Sequence, residues 1–269
     1  MIRKATVAGA FYPDTKEAIN AQIDSFDTRA GEPEPVMGLV VPHAGYTYSG
    51  EVAAKVYAGA KVASSVVMIG PNHRGGAGAP SLAIMSEGAW ETPAGTVLVN
   101  DALASHIMAE TPLLEDAPQE HELEHSLEVQ VPFLLRLQDK VKIVPIIISH
   151  IPDDFIETVA DGIYMGIKKF GDGVTLLAST DFSHYVSQNV AERLDGEAID
   201  RILNLDSRGL LDIVREKRIS MCGVAPVALV IEVCKAMGAV KAELVDYKTS
   251  GDITGDYSSV VGYGGFLIS

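Results

Sequence analysis

Along this chain, short apolar runs rich in β-branched residues alternate with longer segments whose apolar positions recur at helical spacing. GLVVP (38–42), SSVVMIG (64–70), KIVPIII (142–148), VTLLAST (174–180), AELVDY (242–247) and SSVVGYGGFLI (258–268) read as strands. Helical spacing covers about Thr15 to Ser25, Gly50 to Ala60, Asp101 to Ala109, Asp153 to Phe170, Ala191 to Leu203 and Val224 to Met237. This rhythm predicts an α/β fold: a central, mostly parallel sheet flanked by helices. The polar, Pro- and Gly-containing stretch from Asp27 to Gly38 reads as a loop, and no tandem repeat or low-complexity tract interrupts the pattern.

Reactive residues gather where strands end. GLVVP hands over to His43, SSVVMIGPN to His73, and VTLLAST to Asp181 and His184. Ligands of open α/β sheets bind outside the carboxyl ends of the strands, so the three loops are expected to converge on one cleft. Cys222 precedes an apolar segment that reads as a helix, and a helix start lowers a thiol's pKa and favours the thiolate. Two or three imidazoles with a thiolate suit zinc, copper or iron rather than magnesium or calcium. Gly45, Gly70, Gly75 and Gly76 give the strand ends tight turns and close backbone approach. Taken singly, a histidine after a strand is more often a turn residue and a lone cysteine more often core filling. Together, at matching strand ends, they predict a metal site.

Charge narrows the partners. Asp and Glu outnumber Lys and Arg by 36 to 21, a formal net charge of -15, which repels a phosphate backbone and excludes nucleic acid as an expected partner. The longest apolar run, Val141 to Ile148, is broken by Lys142 and Pro145, so no membrane span is expected. MIRKATVAGAFYP lacks the apolar core of a secretory signal, and a cytoplasmic location is expected. If Cys222 and Cys234 flank a continuous helix they stand roughly 18 Å apart at 1.5 Å per residue, too far for a disulfide. Both are expected as reduced thiols.

HELEH, His121 to His125, spells the zinc-protease pattern H-E-x-x-H. On a helix, His121, His125 and Glu128 would share one face, with Leu123, Leu127, Val131 and Leu134 opposite. That face would either line a cleft or lie solvated. The protease reading also needs a helix that runs on cleanly, whereas Pro132 follows closely and Ser126 can cap a helix that starts after both histidines.

The ordered series AGAFYP, PHAGYTYSG, GPNHRG, WETPAG, EHSLEVQVPFL, STDFSHY, CG and TSGDITGDYSSVVGYGGF spans essentially the whole chain and closely resembles the Memo family. The resemblance implies one domain over residues 1–269 with the fold of class III extradiol dioxygenases, whose non-haem iron is held by two histidines and a carboxylate. In Memo proteins a cysteine replaces the carboxylate. Carried over, it implies His43, His73 and Cys222 as metal ligands, His184 as the acid/base histidine and Asp181 as its neighbour. EHSLE is a family motif, which makes the protease spelling coincidental and puts His125 and Glu128 around the cleft. Val224 and Ala225 stand where some eukaryotic relatives carry a basic residue and a histidine, so no role transfers there. The implied metal is iron (Fe2+), with copper or zinc as alternatives, and the implied activity a dioxygenase-like oxidoreductase. The alternative is a non-catalytic peptide-binding, protein-binding or redox-sensing module using the same cleft. The ligand in that cleft would be a small molecule or a peptide. Eukaryotic Memo proteins are described as signalling and motility effectors, and prokaryotic ones accompany a radical-SAM protein in the AmmeMemoRadiSam grouping.

Overall fold

The four central strands form where the apolar runs place them. A computed structural model describes residues 1–28, 32–76, 78–171 and 173–269, leaving 29–31 of the expected 27–38 loop outside the described residues. Strands Lys142–Ile148, Ser65–Pro71, Val174–Ser179 and Gly38–Val41 lie side by side in that order, all parallel. Apart from Lys142, every residue in them is buried, because helices cover both faces. This double cover is why they read as unbroken apolar runs rather than alternating ones.

Side-chain alternation divides the interior into two cores. Val40, Val67, Ile69, Ile146 and Leu176 pack with helices Ile156–Phe170 and Val224–Met237. Leu39, Val41, Val66, Met68 and Leu177 pack with helices Tyr46–Gly59 and Val131–Leu137 on the opposite face. Beyond Gly38–Val41 the sheet continues with Val260–Ile268, which runs antiparallel and also pairs with Ala242–Thr249 and His184–Val186. At the other side come Gly95–Val99, Ala89–Thr92 and Ile2–Lys4. The sheet is therefore mixed and mostly parallel at its centre.

Helices Lys16–Ser25, Asp101–Glu110, Gln188–Leu203 and Val224–Met237 match the spacing closely, the first capped by Thr15, whose hydroxyl accepts the Ala18 N–H at 3.3 Å. Helix Ser207–Lys217, which buries Leu210, Leu211 and Val214, adds to those expected from the spacing. No helix among the described residues is long and apolar enough to cross a membrane.

The HELEH segment is not a helix. Single turns span Pro118–His121 and Glu128–Gln130, followed by Val131–Leu137 with Pro132 in its first turn. His121 is buried with its ring 5.9 Å from Trp90, Leu123 is exposed instead of joining an apolar stripe, and His125 lies elsewhere, at the strand ends. Arg3 explains the departure: its guanidinium donates to the carbonyls of His121 and Glu124, both at 2.7 Å, spending acceptors that a helix would use.

Arg3 also pairs with Glu128 at 2.8 Å, with both side chains fully buried. The Glu128 carboxylate accepts in addition from the Thr6 N–H (2.9 Å), the Val7 N–H (3.1 Å) and the Tyr12 hydroxyl (2.7 Å). Burial opposes its charge, but Arg3 and these donors outweigh burial and hold its pKa below the usual carboxylate range. Glu128, expected at the cleft, is thus an anchor that straps the N-terminal segment across the molecule.

Removing one member of such a pair leaves the other charged and buried. Arg3→Met is expected to destabilise the fold by about 3–5 kcal/mol, read as a lower urea midpoint at unchanged slope. A loss under about 1 kcal/mol, the scale of an exposed pair, would contradict this assignment.

Candidate metal centre

The carboxyl ends of the parallel strands bring His43, His73 and Cys222 together, with their donor atoms all within 4.8 Å of one another. An ion about 2.0–2.3 Å from each nitrogen and sulfur would separate such donors by roughly 3.3–3.6 Å, within reach of small side-chain adjustments.

His43 follows Gly38–Val41 and is buried. Its Nδ1 lies 3.0 Å from Ser179 Oγ, at the end of the neighbouring strand. Ser179 donates its single proton to the Ser126 carbonyl at 2.7 Å and accepts from the Gln130 amide at 3.0 Å. The proton between Ser179 and His43 therefore belongs to Nδ1, which leaves the Nε2 lone pair facing Cys222 Sγ at 3.3 Å. Burial, then the neighbouring His73 and His125, keep the His43 pKa well below its usual value, so the ring is a neutral ligand.

His73 is fixed by Glu124, a residue that strand-end reasoning did not single out. The Glu124 carboxylate accepts the His73 backbone N–H at 2.6 Å, the His73 Nδ1 proton at 2.9 Å and the Ser126 N–H at 2.8 Å. Burial disfavours its charge, yet His73, the Ser126 N–H and His125 prevail and bring its pKa down to about 2. A carboxylate on Nδ1 orients the ring and makes Nε2 a better donor. His73, Glu124 and His125 also form a cluster of metal-ligand type. Because Glu124 is already taken up by three N–H donors, it supports His73 rather than forming a second centre.

His125 stacks on His73 with ring centroids 4.8 Å apart, meets His43 edge-on at 5.5 Å and lies 4.8 Å from Phe11. Burial is the main cause that lowers its pKa. The three rings thus stand about equally far from one another, His43 and His73 being 5.2 Å apart.

Cys222 precedes helix Val224–Met237 and is half-buried. Its Sγ accepts the Asp181 backbone N–H at 3.2 Å. The expected lowering of its pKa by the helix start is overturned: burial, then the Asp181 carboxylate, push the thiol up to about 12. Metal coordination deprotonates a thiol outright, so the thiolate here depends on a cation in the site. Gly223 makes the approach possible, since a Cβ there would stand 2.5 Å from the Ser179 carbonyl oxygen and 2.6 Å from Thr180 Cβ.

Asp181 and His184 have separate surroundings. The buried Asp181 accepts the His43 backbone N–H at 2.8 Å, and burial raises its carboxyl pKa to about 6. Its hydrogen bonds hold the His43 loop and do not orient the His184 ring. That is done by Ser220, whose hydroxyl accepts the His184 backbone N–H at 2.7 Å and whose carbonyl lies 2.8 Å from His184 Nδ1. A carbonyl can only accept, so Nδ1 donates to it, and this bond fixes the orientation of the half-buried ring.

Comparison with known proteins accords with this arrangement over the full chain. The family described as "Memo-like protein" matches residues 3–267. A MEMO1 family protein of Methanothermobacter thermautotrophicus is 38% identical over 276 residues, covering 98% of this chain and 99% of that protein. One of Archaeoglobus fulgidus is 40% identical over 268 residues, covering 99% of each. One of Methanopyrus kandleri is 38% identical over 278 residues, covering 98% of this chain and 97% of its own. A mixed α/β sheet, a His/His/Cys cluster at its strand ends and full-length similarity at this level place the chain in the Memo family.

Proposed function

We propose that this protein is a metal-dependent oxidoreductase, with iron held by His43, His73 and Cys222 and with His184 as general acid/base. The observation that carries the reading is the fixed direction of two lone pairs. Ser179 and Glu124 accept hydrogen bonds from Nδ1 of His43 and His73, which leaves Nε2 of each ring for metal binding, that of His43 lying 3.3 Å from the Cys222 sulfur. Two imidazoles and a thiolate suit an intermediate-to-soft transition ion, which makes iron the proposed metal and copper or zinc its competitors. When bound, such an ion supplies a redox couple and a Lewis acid that polarises an oxygen-bearing ligand.

The remaining work falls to the chain. His184 takes a proton from a substrate hydroxyl at Nε2, while its Nδ1 proton stays on the ring, donated to the Ser220 carbonyl, and fixes the ring plane. Asp181 holds the His43 loop through that residue's N–H. The strapped N-terminal segment presents Phe11 against His125.

A second reading, a redox-sensing or peptide-binding module, draws on the same cleft. Its reactive group would be Cys222, a half-buried thiol that becomes oxidisable as the thiolate.

Elemental analysis after anaerobic purification separates these readings from an absence of metal. The wild type is expected to carry about one iron or copper per chain, lost in His43→Ala, His73→Ala and Cys222→Ser, with affinity reduced about 10–100-fold in Glu124→Gln. A wild type that is metal-free and takes up no added ion would remove the metal site from the proposal. His184→Ala is expected to keep the metal and to slow dioxygen consumption by about 10²- to 10⁴-fold in a substrate screen. Metal lost together with turnover would make His184 a ligand instead.

A further inference from the structure

The strand His184–Val186 carries a feature that metal binding leaves unused. Among the described residues other than glycine, Tyr185 (φ 58°), Leu205 (52°) and Arg218 (53°) have positive φ. Leu205 lies just past the end of Gln188–Leu203, and Arg218 closes Ser207–Lys217 in the left-handed conformation usual at helix ends. Tyr185 closes no helix. It sits where the pairing with Val260–Ile268 slips, as a bulged residue between His184 and Val186.

The flanking residues impose this conformation. Before it, the Ser183 N–H and hydroxyl donate to Asp195 Oδ1 at 3.1 and 2.5 Å, and the Tyr247 hydroxyl holds the other Asp195 oxygen at 2.7 Å. Immediately before Tyr185, His184 is tied to Ser220 through both its backbone N–H and its ring. A glycine would take the same φ without strain, yet the chain places a large aromatic residue here.

That aromatic side chain adds little to the interior. Tyr185 is 78% exposed, the most exposed aromatic residue of the chain, and its ring contact is with the His184 imidazole at 5.9 Å. Tyr48, also exposed, lies in the first turn of Tyr46–Gly59, over Gly45 beside the His43 loop. Ser220, which holds the His184 ring, stands two residues before Cys222, so Tyr185 lies at the exposed edge of the metal cluster. Backbone strain at an exposed residue beside the imidazole that Ser220 holds points to a role in binding.

We propose that Tyr185 is the ligand-contacting lip of the metal cleft and that its ring lies against an aromatic group of the molecule bound there. A tyrosine ring offers a large rigid face with two side-chain torsions to fix, and it favours a planar aromatic partner over an aliphatic one of similar size. This inference rests on the metal-centre reading and adds to it the kind of ligand selected.

The test uses the full chain loaded with iron, oxidised to the ferric state, and titrated with benzohydroxamate and with acetohydroxamate. The two share one chelating head and differ in phenyl against methyl, and binding is followed by the visible charge-transfer band. Taking the ratio of the two dissociation constants within each variant cancels differences in metal loading. The wild-type preference for the phenyl compound is expected to fall about three- to tenfold in Tyr185→Gly and to persist in Tyr185→Phe. The thermal midpoint of Tyr185→Gly is expected within about 3 °C of wild type, relief of strain offsetting the added freedom of the unfolded chain. An unchanged ratio in Tyr185→Gly would overturn the proposal while leaving the metal centre standing. So would a midpoint lowered by more than about 6 °C, which would make the ring a structural part. If neither hydroxamate binds the wild type, the metal-centre reading fails, and this proposal fails with it.

Discussion

Each ring that faces the centre has its Nδ1 proton committed to an acceptor that cannot move. Ser179 can accept from His43 because its own proton is spent on the Ser126 carbonyl. Glu124 can accept from His73 because backbone N–H groups and neighbouring imidazoles keep it ionised despite burial. Without these acceptors the imidazoles could change tautomer or rotate, and the donor atoms would lose the arrangement that keeps them within 4.8 Å of one another. The chemistry available to the cleft follows from this constraint.

Both acceptors depend on the irregular stretch from His121 to Gln130. It contributes Glu124, the Ser126 carbonyl and the Gln130 amide, and it can do so because it is not a helix. Arg3 holds two of its carbonyls, Glu128 ties its end to the N-terminal segment, and Gly70 lets it lie on the His73 strand. A Cβ at Gly70 would stand 2.8 Å from both Ser126 Oγ and Leu127 Cδ2. Gly223 gives the Cys222 loop the same close approach to the Ser179–Thr180 backbone. The buried ion pair and two bare backbones therefore fix the site at a distance from the donor atoms themselves.

Much of this was legible in the sequence, for a physical reason. Strands covered on both faces are unbroken apolar runs, so their ends are easy to locate, and His43 and His73 follow those ends directly. Cys222 could be placed because the helix it precedes is apolar throughout. Periodicity could not reveal Glu124, Ser179 or Ser220, since a side chain's hydrogen-bond partner depends on tertiary approach. The same limit explains the helix imagined over HELEH: local spacing is blind to Arg3, more than a hundred residues away. It also explains the thiol, where burial and Asp181 outweigh the field of a helix start. The antiparallel pairing of Val260–Ile268 with the parallel centre is likewise set by topology rather than by composition.

X-ray absorption spectroscopy of the metal-loaded protein addresses the central claim most directly, because it reports which atoms surround the ion. The account predicts one sulfur scatterer at about 2.3 Å and imidazole nitrogens at about 2.0–2.1 Å, with the sulfur absent in Cys222→Ser. A first shell of only nitrogen and oxygen in the wild type would contradict it, by showing that the cysteine at the strand ends does not hold the metal.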